Sequence, residues 1–133
     1  MKMRKVIINT DGASQGNPGP SAIGATIKDE QGNLLASISR YIGFTTNNQA
    51  EYRAIIAALQ KALGLGATHI ELRADTELVV QQLNGRYKVK KASLRLLYIE
   101  ASRLLGQFQG VTITRIPREQ NREADALANA GFK

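Results

Sequence analysis

Four carboxylates in this chain lie in sequence settings that could do chemistry. They are Asp11 in Thr-Asp-Gly-Ala-Ser-Gln-Gly-Asn-Pro-Gly-Pro, Glu51 in Thr-Thr-Asn-Asn-Gln-Ala-Glu-Tyr, Asp75 at the end of Ile-Glu-Leu-Arg-Ala-Asp, and Asp125 in Asn-Arg-Glu-Ala-Asp-Ala-Leu-Ala. Carboxylates that a fold brings together repel one another unless a cation joins them. Since the chain as a whole is basic, such an acidic cluster suggests metal chemistry on a polyanion.

The charge balance indicates the kind of partner. The net charge is +7 and the sequence isoelectric point is about 10.0. Nucleic acid is the commonest partner of a basic protein, although a generic basic protein fits the charge equally well. Aromatic residues make up only 5% of the chain and tryptophan is absent. Contact with the backbone of a duplex is therefore favoured over a surface that stacks single-stranded bases.

Length and composition exclude several classes of protein. The 133 residues, 43% of them hydrophobic, predict one domain spanning 1–133 with a single core. Cysteine is absent, which excludes disulfides, thiolate zinc sites and cysteine nucleophiles and fits a reducing cytoplasm. The sequence has no apolar run of about 18 residues and no signal peptide, so we expect a cytoplasmic protein without a membrane span.

The hydrophobic pattern predicts the elements that must position the carboxylates. Alternating, β-branched runs indicate five strands, at residues 5–11, 22–28, 34–42, 70–74 and 111–116. Helical spacing indicates four helices, at residues 47–63, at 76–83 and 93–105 with Thr76 and Ser93 as caps, and from Asn121 onward. The segment Asn-Pro-Gly-Pro at 17–20 is predicted to be a turn.

The order of these elements predicts an α/β fold. Short connections make the first three strands an antiparallel meander, and helical crossovers make the fourth and fifth strands parallel to the first. The expected architecture is a five-stranded mixed sheet flanked by helices, in the order βββαβααβα.

This fold would direct the four carboxylates towards one edge of the sheet. Asp11 and Asp75 end predicted strands, where ligands collect in an open α/β sheet. Glu51 falls on the apolar stripe of its helix, where a charge is costly unless it is paired or bound to a metal. Asp125 lies in the first turn of the last helix. Each residue alone also fits a structural role, as a turn former, a surface charge or a partner of the helix dipole, but together they favour a shared site.

The motifs, taken in order, resemble type 1 ribonucleases H over nearly the whole chain. The matching segments are Asp11-Gly12 with Gly16-Asn17-Pro18-Gly19-Pro20, Thr45-Thr46-Asn47-Asn48 before Glu51, Ala74-Asp75, and Asn121 to Asp125 with Ala126-Leu127-Ala128. The resemblance implies a ribonuclease H fold with an Asp-Glu-Asp-Asp site. It also implies hydrolysis of the RNA strand of an RNA–DNA hybrid, with 5′-phosphate and 3′-hydroxyl products.

The resemblance further implies a two-metal mechanism. Two Mg²⁺ ions about 4 Å apart, with Mn²⁺ able to replace them, would activate a water and shield the leaving oxygen. Asp11 would bridge both ions, Asp75 and Glu51 would bind on either side, and Asp125 would complete the site. The nucleophile would be metal-bound water, and no side chain would attack.

Polar residues beside these motifs resemble the family's substrate contacts. Asn17, Thr46, Asn47 and Asn48 would contact the hybrid, with donors near the minor groove sensing 2′-hydroxyls. Asn17 and Thr46 resemble the part of the groove that binds a phosphate of the DNA strand, although Asn17 also suits a turn. Glu77 stands where the family commonly has an amide, and an exposed first-turn residue of a helix is the alternative.

Two segments depart from the family pattern. Many members carry a histidine in a loop before the last aspartate, whereas this loop offers Arg115 and Arg118. We expect slower turnover, with one of these arginines supplying charge near the scissile phosphate, and a structural role for the only histidine, His69. Residues 85–96, here called the basic segment, replace a long tryptophan-bearing protrusion. They contain Arg86, Tyr87, Lys88, Lys90, Lys91 and Arg95, and they form either a handle for a duplex or a solvated lysine-rich loop.

Three readings of function remain open from the sequence. The first is a hybrid-specific endoribonuclease, and the second is a broader nuclease that also cleaves double-stranded RNA. The third is a nucleic-acid-binding module with weak or lost catalysis, which the intact carboxylate set argues against. We expect a monomer with no obligate protein partner.

Overall fold

The structure, a computed structural model, describes residues 3–133. The strands are β1 (Lys5–Ser14), β2 (Gly19–Lys28), β3 (Leu34–Thr45), β4 (His69–Ala74) and β5 (Gly110–Arg115), and the helices are α1 (Asn47–Gly64), α2 (Glu77–Leu83), α3 (Ala92–Leu105) and α4 (Arg122–Ala130). The five strands form one sheet in the order β3-β2-β1-β4-β5. The pairs β1–β2 and β2–β3 are antiparallel, whereas β1–β4 and β4–β5 are parallel. The predicted mixed sheet and element order are confirmed.

Helix α1 fills the main core on one face of the sheet. Its side chains Tyr52, Ile55 and Leu59 are fully buried and belong to the same cluster as Val6 and Ile8 of β1. Helix α3 joins this cluster through residues that include Leu94 and Leu104. Burial of these large apolar side chains stabilises the packing of α1 on the sheet. It thereby fixes the position of Glu51, which lies in α1.

Helix α4 packs against the sheet through glycine. A Cβ at Gly24 of β2 would collide with the α4 backbone at Ala124 and Ala128, so only a residue without a side chain permits this approach. The close contact holds the first turns of α4, and Asp125 with them, against β1 and β2.

The first three strands are longer than predicted. The β1–β2 ladder runs on to the pair Ser14 and Ser21, and Gly19 pairs with Thr45. The predicted turn at 17–20 is therefore shorter, since Gly19 and Pro20 belong to β2. The Asn17–Pro18 peptide is cis. Cross-strand pairing outweighs local turn preference at these residues.

Of the two predicted helix caps, Thr76 is confirmed in position only and Ser93 is wrong. Thr76 occupies the N-cap position of α2, but its side chain makes no capping hydrogen bond. Helix α3 has Lys91 at its N-cap, because the Lys91 carbonyl already accepts the N–H groups of Leu94 and Arg95. Ser93 consequently lies inside the helix. The helix with a full capping box is α1, where Thr46 and Gln49 cap each other reciprocally.

Within residues 3–133, no helix has both the length and the apolar character needed to cross a membrane.

Candidate active site

Two neighbouring parallel strands place two of the carboxylates side by side. Pairing between β1 and β4 stops at Thr10 and Ala74. Asp11 directly follows Thr10, and Asp75 directly follows Ala74. The prediction that Asp11 ends its strand is wrong, because β1 continues to Ser14 along β2. Asp11 lies where β1 loses its parallel neighbour, which leaves room beside it at the carboxyl edge of β4.

Glu51 reaches the same point from α1. A Cβ added at Gly12 would lie 2.5 Å from the backbone of Ala50 and Glu51, so glycine allows the helix to touch β1 directly after Asp11. Oxygen atoms of Asp11, Glu51 and Asp75 all lie within 4.8 Å of one another. The structure thus brings three of the four predicted carboxylates into one cluster.

Burial and mutual repulsion dominate the electrostatics of this cluster. Asp11 and Glu51 are each 8% exposed. Burial first, and then the charge of Asp75, raises the pKa of Asp11 to about 7. Burial and the charge of Asp11 also raise the pKa of Glu51 well above its usual range, although the Gly12 N–H donates to its carboxylate and opposes that shift. Buried carboxylate oxygens that repel one another form a donor set suited to a hard divalent cation.

Asp125 stands at the margin of this cluster. It projects from the first turn of α4 and is not one of the three residues within 4.8 Å. Its carboxyl is nevertheless a hydrogen-bond partner of Asp11, an interaction that contributes to the raised pKa of Asp11. The Asn129 amide, one turn further along α4, donates to the Asp125 carbonyl over 3.0 Å. Asp125 therefore adjoins Asp11 without joining the tight cluster.

Asn121 joins the elements that carry the site, and sequence reasoning missed this role. It is 1% exposed. Its amide nitrogen lies 2.9 Å from the Thr10 carbonyl and 3.4 Å from an Asp75 carboxylate oxygen, and its amide oxygen accepts from Asn9 over 3.1 Å. The sequence marks Asn121 only as the start of a helix, yet its side chain makes no capping bond.

Three of the four carboxylates, those of Asp11, Asp75 and Asp125, line an open cleft with a cationic rim. A cleft of about 530 Å³ is lined by Asp11, Gly12, Ala13, Ser14, Asn47, Asp75, Arg115, Arg118, Asp125 and Asn129. Arg115 ends β5 and Arg118 begins a short 3₁₀ helix. Both are exposed. An acidic floor beside arginines can hold cations and a phosphate at the same time.

The other predicted substrate residues line a second, smaller cleft. Asn17, Thr46 and Asn48 meet Lys91, Ser93 and Leu94 around a space of about 170 Å³. The Asn17 amide oxygen accepts the Asn47 N–H over 3.0 Å, so Asn17 also ties the β1–β2 loop to α1. Asn47 lines the larger cleft that contains Asp11, here called the acidic cleft. The two clefts therefore lie on either side of the first turn of α1.

The basic segment continues this surface. A groove of about 520 Å³ is lined by Asn48, Leu78, Gln82, Arg86, Tyr87, Lys88, Lys90, Lys91 and Leu94. It shares Asn48, Lys91 and Leu94 with the smaller cleft.

Glu77 is exposed at the start of α2. His69 begins β4, at the opposite end of the strand from Asp75, and its Nδ1 lies 2.9 Å from the Thr68 hydroxyl.

Comparisons with known proteins match this architecture. The family model described as "Reverse transcriptase-like" matches residues 9–131. A protein named ribonuclease HI from Halobacterium salinarum is 47% identical over 119 residues, which are 90% of this chain and 60% of that protein. A bifunctional protein, Rv2228c of Mycobacterium tuberculosis, is 45% identical over 94% of this chain but only 35% of its own length. The chain thus spans about a third to three-fifths of these curated relatives.

Solved structures show the same similarity. The N-terminal ribonuclease H domain of Rv2228c from Mycobacterium tuberculosis, solved as a fusion with maltose binding protein, superposes with a TM-score of 0.94 at 44% identity and covers 97% of this chain and 99% of that chain. LC11-RNase H1 in complex with an RNA/DNA hybrid superposes with a TM-score of 0.89 at 42% identity and covers 94% of each chain.

Proposed function

Because this chain belongs to the type 1 ribonuclease H family, we propose that it is an endoribonuclease that hydrolyses the RNA strand of RNA–DNA hybrids and leaves 5′-phosphate and 3′-hydroxyl ends. The observation that carries the proposal is the convergence of Asp11, Glu51 and Asp75 within 4.8 Å, with Asp11 and Asp75 lining a cleft that Arg115 and Arg118 also line. We further propose that residues 1–133 act as one catalytic domain and as a monomer.

The donor set fits divalent metal ions, which this family generally uses. We propose Mg²⁺, with Mn²⁺ able to replace it and two ions present in the substrate complex, held by Asp11, Glu51, Asp75 and Asp125. Ions bound there would activate the attacking water and offset the charge that develops on the leaving oxygen. The fit rests on the burial of Asp11 and Glu51, on the repulsion that raises the pKa of Asp11, and on the cleft that Asp11 and Asp75 line.

The chain's own residues fix the positions of these ligands. The Gly12 N–H donates to the Glu51 carboxylate, and the buried Asn121 amide contacts Asp75. Asp11 in β1 and Glu51 in α1 are each 8% exposed, so both side chains have little access to solvent. Ligands held in this way do not have to reorganise when the substrate arrives, which favours catalysis.

Arginines would take the place of the loop histidine that many relatives carry. Arg115 and Arg118 line the same cleft as Asp11 and Asp75, and a guanidinium can contact two phosphate oxygens at once. We propose that they hold the scissile phosphate over the carboxylates. A guanidinium does not give up its proton near neutral pH, so these residues cannot move protons as a histidine can.

The two outer clefts would contact the rest of the hybrid. Asn17, Thr46 and Asn48 lie around a space closed on one side by Lys91, a combination of amide, hydroxyl and ammonium groups suited to a backbone phosphate. Asn47 faces the acidic cleft instead. There an amide can sense a 2′-hydroxyl and so distinguish the RNA strand from the DNA strand.

A panel of labelled duplexes tests this function. In Mg²⁺ the protein should cleave the RNA strand of an RNA–DNA hybrid internally, with ends that a ligase requiring 5′-phosphate accepts, and EDTA should abolish the cleavage. The same fluorescent RNA annealed to complementary RNA is the matched control. Equal cleavage of both duplexes would favour the broader nuclease, and binding of the hybrid without cleavage in either metal would favour the binding module.

A further inference from the structure

A buried polar pair connects α1 to α2 in the middle of the core. Tyr52 is fully buried in α1, directly after Glu51, and Gln82 is 3% exposed in α2. The Tyr52 hydroxyl donates to the Gln82 amide oxygen over 2.6 Å. Polar groups at such depth cost free energy unless each finds a partner. An apolar pair of similar volume would fill the same space, so the presence of this bond calls for another explanation.

The other end of Gln82 reaches the basic segment. Its amide nitrogen donates to the Lys88 carbonyl over 3.4 Å. The Lys88 carbonyl can only accept, so it requires the N–H end of the amide, and the amide oxygen is left to accept from the Tyr52 hydroxyl. Tyr52 thus holds one end of the Gln82 amide in the core while the other end holds the main chain of the basic segment at Lys88.

Other contacts hold residues 85–91, the part of the segment before α3, at both ends, and Val89 packs against the core between them. At the start, Gly85 adopts a φ of 78° and the N–H groups of Arg86 and Tyr87 donate to the Gln81 carbonyl. At the far end, the Lys91 carbonyl accepts the first N–H groups of α3. Lys88 and Lys90 lie between these anchors and are exposed. The Gln82 bond adds a polar tie to the Lys88 main chain beside the apolar packing of Val89, in the stretch that presents the charged side chains.

The segment that Gln82 holds borders the substrate clefts. Lys88 and Lys90 line the groove that shares Asn48 and Lys91 with the smaller cleft. A loop whose path is fixed before binding loses less conformational freedom when the ligand arrives, and its affinity rises accordingly. Cations on such a loop also stand at fixed spacing, as the phosphates of a duplex do.

We propose that Gln82, anchored in the core by Tyr52, is a positioning residue that helps to fix the basic segment in advance for the backbone of the bound hybrid. Gln82 acts through the Lys88 main chain and is not a catalytic residue. The inference rests on the proposed function, because it assigns to the basic segment a share in binding the hybrid.

Steady-state cleavage of a hybrid by Gln82→Met is the first test. Methionine keeps the volume and apolar packing but cannot donate to Lys88. We expect KM to rise by about 3- to 10-fold, the equivalent of one lost hydrogen bond, while kcat stays within about 2-fold. Ile27→Val in β2 is the control. It removes one methyl group from the buried core at a site distant in sequence from the basic segment, and it should leave KM unchanged.

The double variant Tyr52→Phe/Gln82→Met separates positioning from stability. Removing both polar partners leaves no unsatisfied group in the core, so the melting temperature should return towards that of the wild type. The Lys88 contact is still missing, so KM should stay raised. A KM that recovers together with the melting temperature, or one that never rises in either variant, would overturn the inference. So would a fall in kcat at constant KM, which would place the effect on Glu51.

Amide hydrogen exchange provides a readout that needs no activity. The N–H groups of residues 86–91 should exchange faster in Gln82→Met and in the double variant than in Ile27→Val, and unchanged rates would contradict the inference. If the wild-type protein cleaves no hybrid, the proposed function fails by itself. Hybrid affinity then replaces KM in the same comparison, and equal affinities of wild type and Gln82→Met would overturn the positioning role.

Discussion

Asp11 and Glu51 are under opposing physical demands. Burial favours their neutral forms, as the raised pKa of each shows, whereas metal binding requires carboxylates that have lost their protons. The balance is set by the packing of α1 on Gly12, which removes water from both side chains. The cluster is thus poised to exchange protons for cations, and its stability should depend on both.

The first prediction concerns pH and metal. The folded pKa of Asp11 is about 7 against an ordinary value of 3.8, so the folded state keeps a proton that the unfolded chain has already released. Without metal, the contribution of Asp11 to the free energy of unfolding should be greatest below about pH 4. It should be lost as the pH rises to about 7. Mg²⁺ should then raise the melting temperature by about 5 °C or more at about pH 8, and by less at about pH 5.

Calorimetric melts at both pH values, with and without millimolar Mg²⁺, check this prediction. Asp11→Asn is the matched control, because it keeps the side-chain volume and should lose the part of the pH dependence that Asp11 contributes, while the buried Glu51 keeps its own part. A larger Mg²⁺ effect at the acidic pH would contradict the assignment of the raised pKa to a metal-binding carboxylate.

Arg115 and Arg118 of the acidic cleft should contribute to the cleavage rate. Arg115→Ala and Arg118→Ala should each lower kcat/KM for the hybrid, and the double variant should lose about 10²-fold, because both guanidiniums line the cleft that holds Asp11 and Asp75. Arg53→Ala on α1, whose guanidinium contacts the Ile42 carbonyl on the protein surface, should leave kcat/KM unchanged. Wild-type rates in the double variant would remove the arginines from the mechanism.

Residue types and neighbours were enough to predict that Asp11, Glu51 and Asp75 come together, but not the role of Asn121. The carboxylates lie in specific motifs. A period of two reveals the strand that contains Asp11 and the strand that Asp75 follows. Asn121 makes contacts with Asn9, Thr10 and Asp75, residues that are distant in sequence. No local pattern distinguishes an asparagine that caps a helix from one that bonds to a neighbouring strand.

At the scale of elements, the site depends on how closely two helices approach the sheet. Glycine at 12 and at 24 lets α1 and α4 touch the strands, and Glu51 and Asp125 come with them. The order and direction of the strands follow from the lengths of their connections and could be predicted. The lengths of β1, β2 and β3 could not, since turn-forming residues such as Gly19 and Pro20 pair with β3 only once the sheet has formed.

Gly24→Ala tests the approach of α4. The added methyl would collide with the α4 backbone at Ala124 and Ala128, so the free energy of unfolding should fall by about 1–3 kcal/mol. Activity of the folded fraction should also fall, because α4 carries Asp125. The measurement is a urea titration together with the hybrid-cleavage rate.

Gly64→Ala provides the matched control for this glycine. Gly64 ends α1, and a Cβ there meets no atom of the described chain within 4 Å. Alanine should be neutral or stabilise the helix by up to about 1 kcal/mol. If Gly24→Ala behaves like Gly64→Ala, the contact between α4 and β2 is not what places Asp125.

Over the whole molecule, a net charge of +7 coexists with an acidic cleft. Cations in the basic segment lie on the surface next to the clefts, so the field draws a polyanion towards the carboxylates rather than away from them. The sequence could predict the sign of this charge and the segment that carries much of it. It could not predict the groove shared with Asn48, because that groove depends on how α1 and α3 pack together.

Replacing Lys88, Lys90 and Lys91 by glutamine tests this arrangement. Hybrid binding should weaken, and the slope of log K against log salt should become shallower by about 2 to 3, as expected for up to three lost phosphate contacts. The control is a triple glutamine variant of Arg4, Lys5 and Lys61, which do not line the three clefts described here. Equal slopes for both variants would show that the basic segment acts only through total charge.

Hybrid cleavage measured against Mg²⁺ concentration, in wild type and Asp11→Asn side by side, bears most directly on the central claim. Asp11 lies in the cluster within 4.8 Å of Glu51 and Asp75, and asparagine preserves its shape while removing its charge. The wild type should cleave the RNA strand with a rate that rises and saturates with Mg²⁺. Asp11→Asn should be slower by about 10²-fold or more at every concentration. A variant that remains folded and cleaves at the wild-type rate would contradict the account.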